Sequence, residues 1–279
     1  MVGIVHGAGS AATGVLVAVG GPQYRVGSHR QFLLLARYLA ANNVPVMRFD
    51  YRGMGDAEGE IRTFEGVGDD ICVAIDAFFE NSPGLRSVVL WGLCDAASAA
   101  LFYGHSDPRV KGMILLNPWA RTEAGQAKAY LRHYYIQRLF NKEFWGKVLS
   151  GTFDLRKSLA SLLEFVDKST GSQVQAASDG DDGNSMCATA PLPERMYEGL
   201  EHFHGQVGII ISGDDLTAAE FEDMVKDSKN WQKLLRVKEV EFHYLADANH
   251  TFSKQVWRNQ VAKQTHHWLM QMSLQAVDR

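Results

Sequence analysis

The sequence lacks the features that mark several large classes of protein. It has no run of about 18 apolar residues, so a membrane-spanning helix is not predicted. It has no Lys/Arg-rich run, and its formal net charge of -4 gives no electrostatic basis for binding nucleic acid. The N-terminus has neither the basic region nor the long apolar core of a signal peptide. These absences favour a cytoplasmic protein that acts on a small molecule.

Cysteine is scarce as well. The three residues, Cys72, Cys94 and Cys187, are odd in number and widely spaced, which does not fit a disulfide framework. A reducing compartment is the expectation, and it would keep a reactive thiol free. Hydrophobic residues make up 46% of the 279 positions, which is enough to bury a full-sized core.

No cofactor or metal site is predicted, because each candidate motif is incomplete. The Asp/Gly-rich segment from Asp179 resembles the start of a calcium loop, but its twelfth position is Ala190 where Glu is required. The glycine pair at positions 20 and 21 is not the dinucleotide fingerprint. Two further histidine groups have no Cys or carboxylate context for a metal: His202 with His204, and His266 with His267.

Most of the chain alternates between short apolar runs and amphipathic segments. The apolar runs are continuous rather than alternating, which is typical of parallel strands buried on both faces. This pattern predicts an α/β fold with a mostly parallel, doubly wound sheet. Strands are predicted at 14–21, 45–49, 88–91, 110–116, 207–212 and 240–245, with helices over 29–40, 64–79, 96–104, 195–203, from 217, and over 253–276. Ser28 is the expected N-cap of the first helix.

The alternation stops after Trp119, which predicts an insertion. Residues 120–166 are helical in pattern and rich in aromatics, and residues 167–192 are rich in Gly, Ser and Asp. The predicted organisation is an α/β core formed by 1–118 and 193–279. A helical cap over 119–192 is inserted into it, with a flexible polar loop at 167–192.

One stretch carries the strongest chemical signal. An apolar strand pattern runs to Trp91, and small residues then surround Cys94 before an Ala-rich helix begins. A strand, a tight turn with small residues two positions on either side of a nucleophile, and a helix form a nucleophile elbow. The usual Ser is replaced here by Cys. The alternative for Cys94 is an inert buried thiol, which is how most free cysteines behave.

A nucleophile needs a base and an acid that orients the base, and both follow in the expected order. His250 lies just past the run at 240–245 and is the predicted base, with an ordinary surface histidine as the alternative. Asp214 and Asp215 lie just past the run at 207–212. Asp215 is the preferred acid because it falls at the strand-to-helix corner, with Thr217 as the expected N-cap. Asp214 is the alternative acid.

The oxyanion formed during acyl transfer needs backbone N–H donors. One is expected from Asp95, the residue after the nucleophile. The second should come from the loop after the first predicted strand. Pro22 has no N–H, so Gln23 is the candidate. The alternative for this loop is a tight turn without a catalytic role.

Several motifs resemble one family. They are Gly20-Gly-Pro-Gln-Tyr-Arg-Val-Gly-Ser-His-Arg-Gln-Phe32, Arg48-Phe-Asp-Tyr-Arg-Gly-Met-Gly55, Leu90-Trp-Gly-Leu-Cys-Asp-Ala-Ala-Ser98, Leu116-Asn-Pro-Trp119 and Ser212-Gly-Asp-Asp-Leu-Thr-Ala218. Together they are similar to the exosortase A system-associated hydrolase 1 family, α/β-hydrolase-fold proteins of Gram-negative bacteria. The resemblance covers nearly the whole chain. It implies Cys94 as nucleophile, Asp215 as acid and His250 as base, and it does not define a substrate.

These observations favour an enzyme that hydrolyses or transfers an acyl group from an ester or thioester. A Cys nucleophile forms an enzyme-bound thioester, which is close in energy to acyl-CoA or acyl-carrier-protein substrates. Two other functions stay open from the sequence. One is a non-catalytic protein that binds an acyl chain or its carrier, and the other is a dienelactone or C–C hydrolase, which also accommodates Cys.

Overall fold

The computed structural model describes residues 1–7, 11–21, 23–121 and 190–277. The chain divides into two compact units, one formed by Met1–Ala120 with Leu192–Arg279 and the other by Arg121–Pro191. Nearly all of the second unit, with the predicted helical cap and polar loop, lies outside the described residues.

The core of the first unit is a seven-stranded sheet with the order β1-β3-β2-β4-β5-β6-β7. β1 pairs with β3 antiparallel, and every other pairing is parallel. The predicted α/β class with a mostly parallel sheet is confirmed. The strands are β1 Val2–His6, β2 Thr13–Ala18, β3 Val46–Asp50, β4 Ser87–Leu93, β5 Val110–Leu116, β6 Gln206–Asp214 and β7 Glu241–Asn249.

Helices flank the sheet in two groups. In one group α1 packs against α7, and in the other α3 contacts both α2 and α4. None of the helices that the structure describes has the length and hydropathy needed to cross a bilayer. The helices are α1 Gln31–Ala41, α2 Gly68–Glu80, α3 Asp95–Gly104, α4 Leu192–His202, α5 Leu216–Asp227, α6 Lys229–Val237 and α7 Gln255–Val277, with short 3-10 turns at Ser28–Arg30 and Phe64–Gly66.

The apolar strand runs are explained by burial on both faces. In β2, β4 and β5 nearly every side chain is buried, as expected for central parallel strands. Trp91 shows how tightly this core is filled. Its ring packs edge-on against Phe32, and its indole N–H donates to Thr265 at 3.3 Å. Because the indole N–H has a hydrogen-bond partner, Trp91 buries a large apolar surface without leaving a buried donor unpaired.

Two local predictions were wrong. Ser28 does not cap α1, because it lies in a 3-10 turn and Arg30, in the left-handed region, precedes the helix. The Ser28 backbone amide donates a hydrogen bond to the side-chain oxygen of Gln23 at 3.0 Å. The second error concerns the end of the sheet. The last strand, predicted to end at residue 245, continues to Asn249, so His250 follows the strand directly.

Candidate functional site

Cys94 lies at the sharp turn between β4 and α3. Its φ of 64° and ψ of -124° are unusual for a residue with a side chain, and such strain costs on the order of 1–3 kcal/mol. Three backbone hydrogen bonds hold the turn. The Cys94 amide donates to Leu116 at 2.9 Å, and the Cys94 carbonyl accepts from Ala97 at 3.0 Å and Trp119 at 3.2 Å. The predicted elbow geometry is therefore present.

Gly92 explains why small residues flank the turn. A Cβ at this position would lie 2.6 Å from the backbone carbonyl carbon and oxygen of Ala96. Because these are backbone atoms of the first helical turn, they could not move aside without displacing α3. The glycine two positions before Cys94 thus sets how closely the helix approaches the strand.

Asp215 and His250 meet at the carboxyl ends of β6 and β7. The Asp215 Oδ2 lies 2.8 Å from the His250 Nδ1. Asp215 also caps α5, since its carboxylate accepts from the amides of Thr217 at 3.1 Å and Ala218 at 3.3 Å. The prediction that Thr217 is the N-cap was therefore wrong. Asp215 is buried, whereas Asp214 is exposed.

The environment of His250 favours its charged form. Burial opposes the charge, but hydrogen bonds and charge interactions with Asp215 and Cys94 outweigh it and raise the pKa of His250 to about 10. With Nδ1 directed at the Asp215 carboxylate, Nε2 is left for Cys94. The structure thus brings the three sequence-predicted residues together: Asp215 is hydrogen-bonded to His250, and Cys94 lies close enough to His250 to raise its pKa.

Asn117 holds the strand ends together, a role that sequence reasoning missed. Its side-chain oxygen accepts from the Ser212 amide at 2.8 Å, and its amide nitrogen donates to the Ser212 hydroxyl at 2.9 Å and the His250 carbonyl at 3.3 Å. The Ser212 hydroxyl in turn donates to Asn249 at 3.2 Å. Asn117 and Ser212 are both buried. This network joins β5, β6 and the His250 turn.

We expect Asn117→Ala to lower both stability and activity. The change leaves the buried Ser212 amide and hydroxyl without a side-chain partner, at a cost of about 1–3 kcal/mol. It also releases the His250 carbonyl, so kcat should fall more than KM changes. Thermal unfolding and steady-state kinetics would measure the two effects. The matched control is Asn230→Ala, which changes an exposed asparagine of α6. Unchanged kcat in Asn117→Ala would exclude a positioning role.

The loop after β2 is fixed to the turn beyond Cys94. The Gly21 amide donates to both carboxylate oxygens of Asp95, at 2.7 and 2.9 Å. Burial raises the pKa of Asp95, and the Gly21 amide opposes that rise. The same loop is held from its other side. There the Arg25 amide donates to Asp50 at 2.6 Å, and the Arg25 guanidinium pairs with Asp50 and Asp56. The two predicted oxyanion donors, the amides of Asp95 and Gln23, stay predictions.

A cavity of about 700 Å³ opens beside Asp95. This volume is in the range of sites for small organic ligands. Most of its surface is apolar, with Asp56, Arg62 and Asp95 as its charged members. The apolar walls are Val19, Tyr24, Tyr51, Met54, Ile61, Phe64 and Val67. Sequence patterns could not reveal this cavity, because its walls come from three separate segments.

Similar solved structures are esterases, at low sequence identity. An esterase of Pyrococcus furiosus is 13% identical, with 94% of this chain and 82% of that chain covered and a TM-score of 0.61. Est1E of Butyrivibrio proteoclasticus, solved with ferulic acid, is 12% identical, with coverage of 98% and 95% and a TM-score of 0.59. A thermophilic esterase from Thermogutta terrifontis is 17% identical, with coverage of 97% and 93% and a TM-score of 0.55.

At these identities the structures establish the fold alone. No curated protein sequence matches the chain. The model of the alpha/beta hydrolase family, in contrast, matches residues 4–264, which is most of the sequence. That span includes the elbow at Cys94, the Asp215 cap and the His250 turn. The chain therefore belongs to the alpha/beta hydrolase family.

Proposed function

We propose that this protein hydrolyses a carboxylic ester or thioester through an acyl-enzyme formed on Cys94. The observation that supports this most is the position of His250, which is hydrogen-bonded to Asp215 through Nδ1 and interacts with Cys94 on its other side. A nucleophile, a base and a third group that orients the base are the parts that covalent acyl transfer needs. The strained elbow presents Cys94 to this base.

The raised pKa of His250 favours the imidazolium form at neutral pH. In the proposed reaction the proton of the Cys94 thiol is the one held by His250, so the reactive pair is a thiolate and an imidazolium. A thiol has a reference pKa of about 8.5, so a histidine partner can remove its proton near neutral pH. The hydroxyl of serine is a much weaker acid and does not ionise in this range.

The proposed first step forms the acyl-enzyme. The Cys94 sulfur attacks the acyl carbonyl, and the carbonyl π electrons move to oxygen. The oxyanion accepts hydrogen bonds from the Asp95 amide and from a donor in the Gln23 loop. As the tetrahedral intermediate collapses, the bond to the leaving group breaks. His250 donates its proton to the departing alcohol or thiol, which leaves a thioester on Cys94.

The second step regenerates the enzyme. Neutral His250 takes a proton from water, and the resulting hydroxide attacks the thioester carbonyl. Collapse expels the Cys94 thiolate and releases a carboxylic acid, with the proton kept on His250. An alcohol or amine in place of water would give acyl transfer. Because the intermediate is itself a thioester, acyl-CoA and acyl-carrier-protein donors match it closely in energy, which favours them over amides.

The test is to detect the acyl-enzyme. The protein would be mixed with p-nitrophenyl esters and with acyl-CoA thioesters of matched chain length, quenched in acid within milliseconds, and measured by intact mass. We expect turnover and an adduct that peptide mapping assigns to Cys94. Cys72→Ala, which removes the half-buried thiol of α2, should form the same adduct. An adduct elsewhere, or turnover with no acyl-enzyme, would contradict the proposal.

A non-catalytic acyl-binding function has one observation in its favour. The Gly21 amide, in the loop where a second oxyanion donor is expected, is already occupied by the Asp95 carboxylate. The same experiment separates the two functions, because a binding protein would bind the substrates without adduct or turnover. Turnover confined to dienelactones or C–C substrates would indicate the third function.

A further inference from the structure

The cavity beside Asp95 contains a buried hydroxyl without a partner. Tyr51 lines this cavity and is 3% exposed. Its hydroxyl has no hydrogen-bond partner among the residues that the structure describes. The Val19 backbone N–H lies nearby and acts to lower the pKa of Tyr51, but an N–H can only donate to the phenol oxygen, so the O–H of Tyr51 still lacks an acceptor. A buried polar group of this kind is rare in folded proteins and costs about 1–3 kcal/mol. It therefore needs a structural or functional explanation.

The position of this hydroxyl is fixed by packing. The Tyr51 ring meets Phe49 edge-on, with centroids 5.0 Å apart and planes at 87°. Tyr51 follows β3 directly, so its backbone is held by the sheet. At 3% exposure the ring is enclosed by its neighbours, and its hydroxyl forms part of the cavity wall.

The hydroxyl also keeps its proton. Burial raises the pKa of Tyr51, and the negative charges of Asp95 and Asp70 raise it further. Tyr51 is thus a neutral hydrogen-bond donor at any physiological pH. A ligand atom that satisfies it must accept a hydrogen bond, as a ketone or hydroxyl oxygen does.

The cavity lies next to the turn that holds Cys94. Asp95 follows Cys94 in the chain and lines the cavity together with Gly21. An acyl group bound to Cys94 would therefore lie close to this cavity. The walls around Tyr51 are apolar, through Val19, Met54 and Phe64. An alkyl chain fits such walls but leaves the Tyr51 hydroxyl unpaired.

We propose that this site selects acyl groups of medium length that carry an oxygen substituent along the chain, and that Tyr51 is the residue that recognises this oxygen. The proposal rests on the proposed function, since it assigns the cavity to the acyl group of that reaction. Recognition of one oxygen in an otherwise apolar pocket gives strong discrimination, because a substrate without it leaves a buried donor unsatisfied.

The test compares matched substrates and matched variants. The substrates are p-nitrophenyl octanoate and its oxo isomers with the ketone at carbon 3, 4, 5, 6 or 7. We expect the wild type to prefer at least one oxo isomer over plain octanoate by about tenfold in kcat/KM, the effect of one neutral hydrogen bond. Tyr51→Phe should bring the ratio of oxo to plain kcat/KM to about one, whatever the absolute rate with plain octanoate. Tyr244→Phe, which removes an exposed hydroxyl from β7, should retain the preference.

Two results would overturn the proposal. One is equal turnover of all isomers by the wild type. The other is a Tyr51→Phe variant that loses the same fraction of activity with plain and oxo chains, which would indicate a structural role.

Binding of the free acids separates this inference from the proposed reaction. Calorimetric titration with octanoate and with the oxo-octanoates needs no turnover. A preference for one oxo acid that disappears in Tyr51→Phe would support the recognition even if no ester were cleaved, in which case the proposed function would fail alone. Ester turnover without any oxo preference would leave the proposed function standing and reject the inference.

Discussion

Replacement of Cys94 with alanine is expected to lower kcat/KM at least about 1,000-fold, because it removes the atom that forms the acyl-enzyme. The variant should fold as well as the wild type. The elbow is held by backbone hydrogen bonds at positions 94, 97 and 119, and these do not need the thiol. The measurements are steady-state kinetics on the best ester or thioester and thermal unfolding. Equal turnover by the wild type and Cys94→Ala would remove Cys94 from the mechanism.

Cys94→Ser is the matched control, and it should differ from alanine in its pH dependence. A serine hydroxyl stays protonated, so His250 must be neutral to act as a base. Asp215 would still raise the pKa of His250, and the contribution of Cys94 would be lost. Activity of Cys94→Ser should therefore be low at neutral pH and rise with pH. The wild type should instead lose activity toward pH 10, where His250 no longer holds the proton for the leaving group.

Stability must be followed over the same pH range. The pKa of His250 in the folded chain is about 10, well above its ordinary value of 6.5. A group raised in this way stabilises the fold fully below pH 6.5, and this contribution is lost progressively as pH rises to about 10. The side chain is one third exposed, so solvent screening reduces the effect. Unfolding curves at each pH would separate loss of fold from loss of chemistry.

The fold and the order of the three site residues could be predicted because both depend on local patterns. Continuous apolar runs such as 110–116 have the composition of buried parallel strands, and each candidate residue follows one of these runs. Carboxyl ends of parallel strands lie at one edge of the sheet. The sequence alone therefore predicts that Cys94, Asp215 and His250 lie near one another.

Other features could not be predicted, because they depend on contacts between distant segments. Asn117 reaches Ser212 across 95 positions, and the Asp95 carboxylate reaches Gly21 across 74. The sequence around Asn117 and Asp95 does not indicate which distant residue each one contacts. The sequence around Tyr51 likewise predicts only an aromatic residue at the end of a strand, and its place in the cavity wall is seen only in the structure. The wrong prediction that Ser28 caps α1 has the same cause. Serine is a residue type favoured at helix N-caps, but the backbone of Ser28 is bonded to the Gln23 side chain instead.

The second large effect is expected at Asp215. Asp215→Asn should lower kcat about 1,000- to 10,000-fold, because a neutral amide neither fixes the Nδ1–H tautomer of His250 nor stabilises its charge. Asparagine is the right replacement, since it caps helices about as well as aspartate. Helix α5 should thus keep its cap, and the melting temperature should fall only by the lost interaction between the Asp215 carboxylate and the His250 imidazolium. Asp215→Ala would lose the cap as well, at about 1 kcal/mol.

Asp214→Asn is the control that the chain itself provides. Asp214 is adjacent in sequence but exposed, whereas Asp215 is buried and lies 2.8 Å from His250. Activity of Asp214→Asn is expected within about twofold of the wild type, as for most surface changes. The two variants differ from each other only in which neighbouring carboxylate is neutralised. A large loss in Asp214→Asn with little loss in Asp215→Asn would reverse the assignment of the acid. Comparable small losses in both would mean that the His250 imidazolium needs no carboxylate partner, and the triad would reduce to the Cys94–His250 pair.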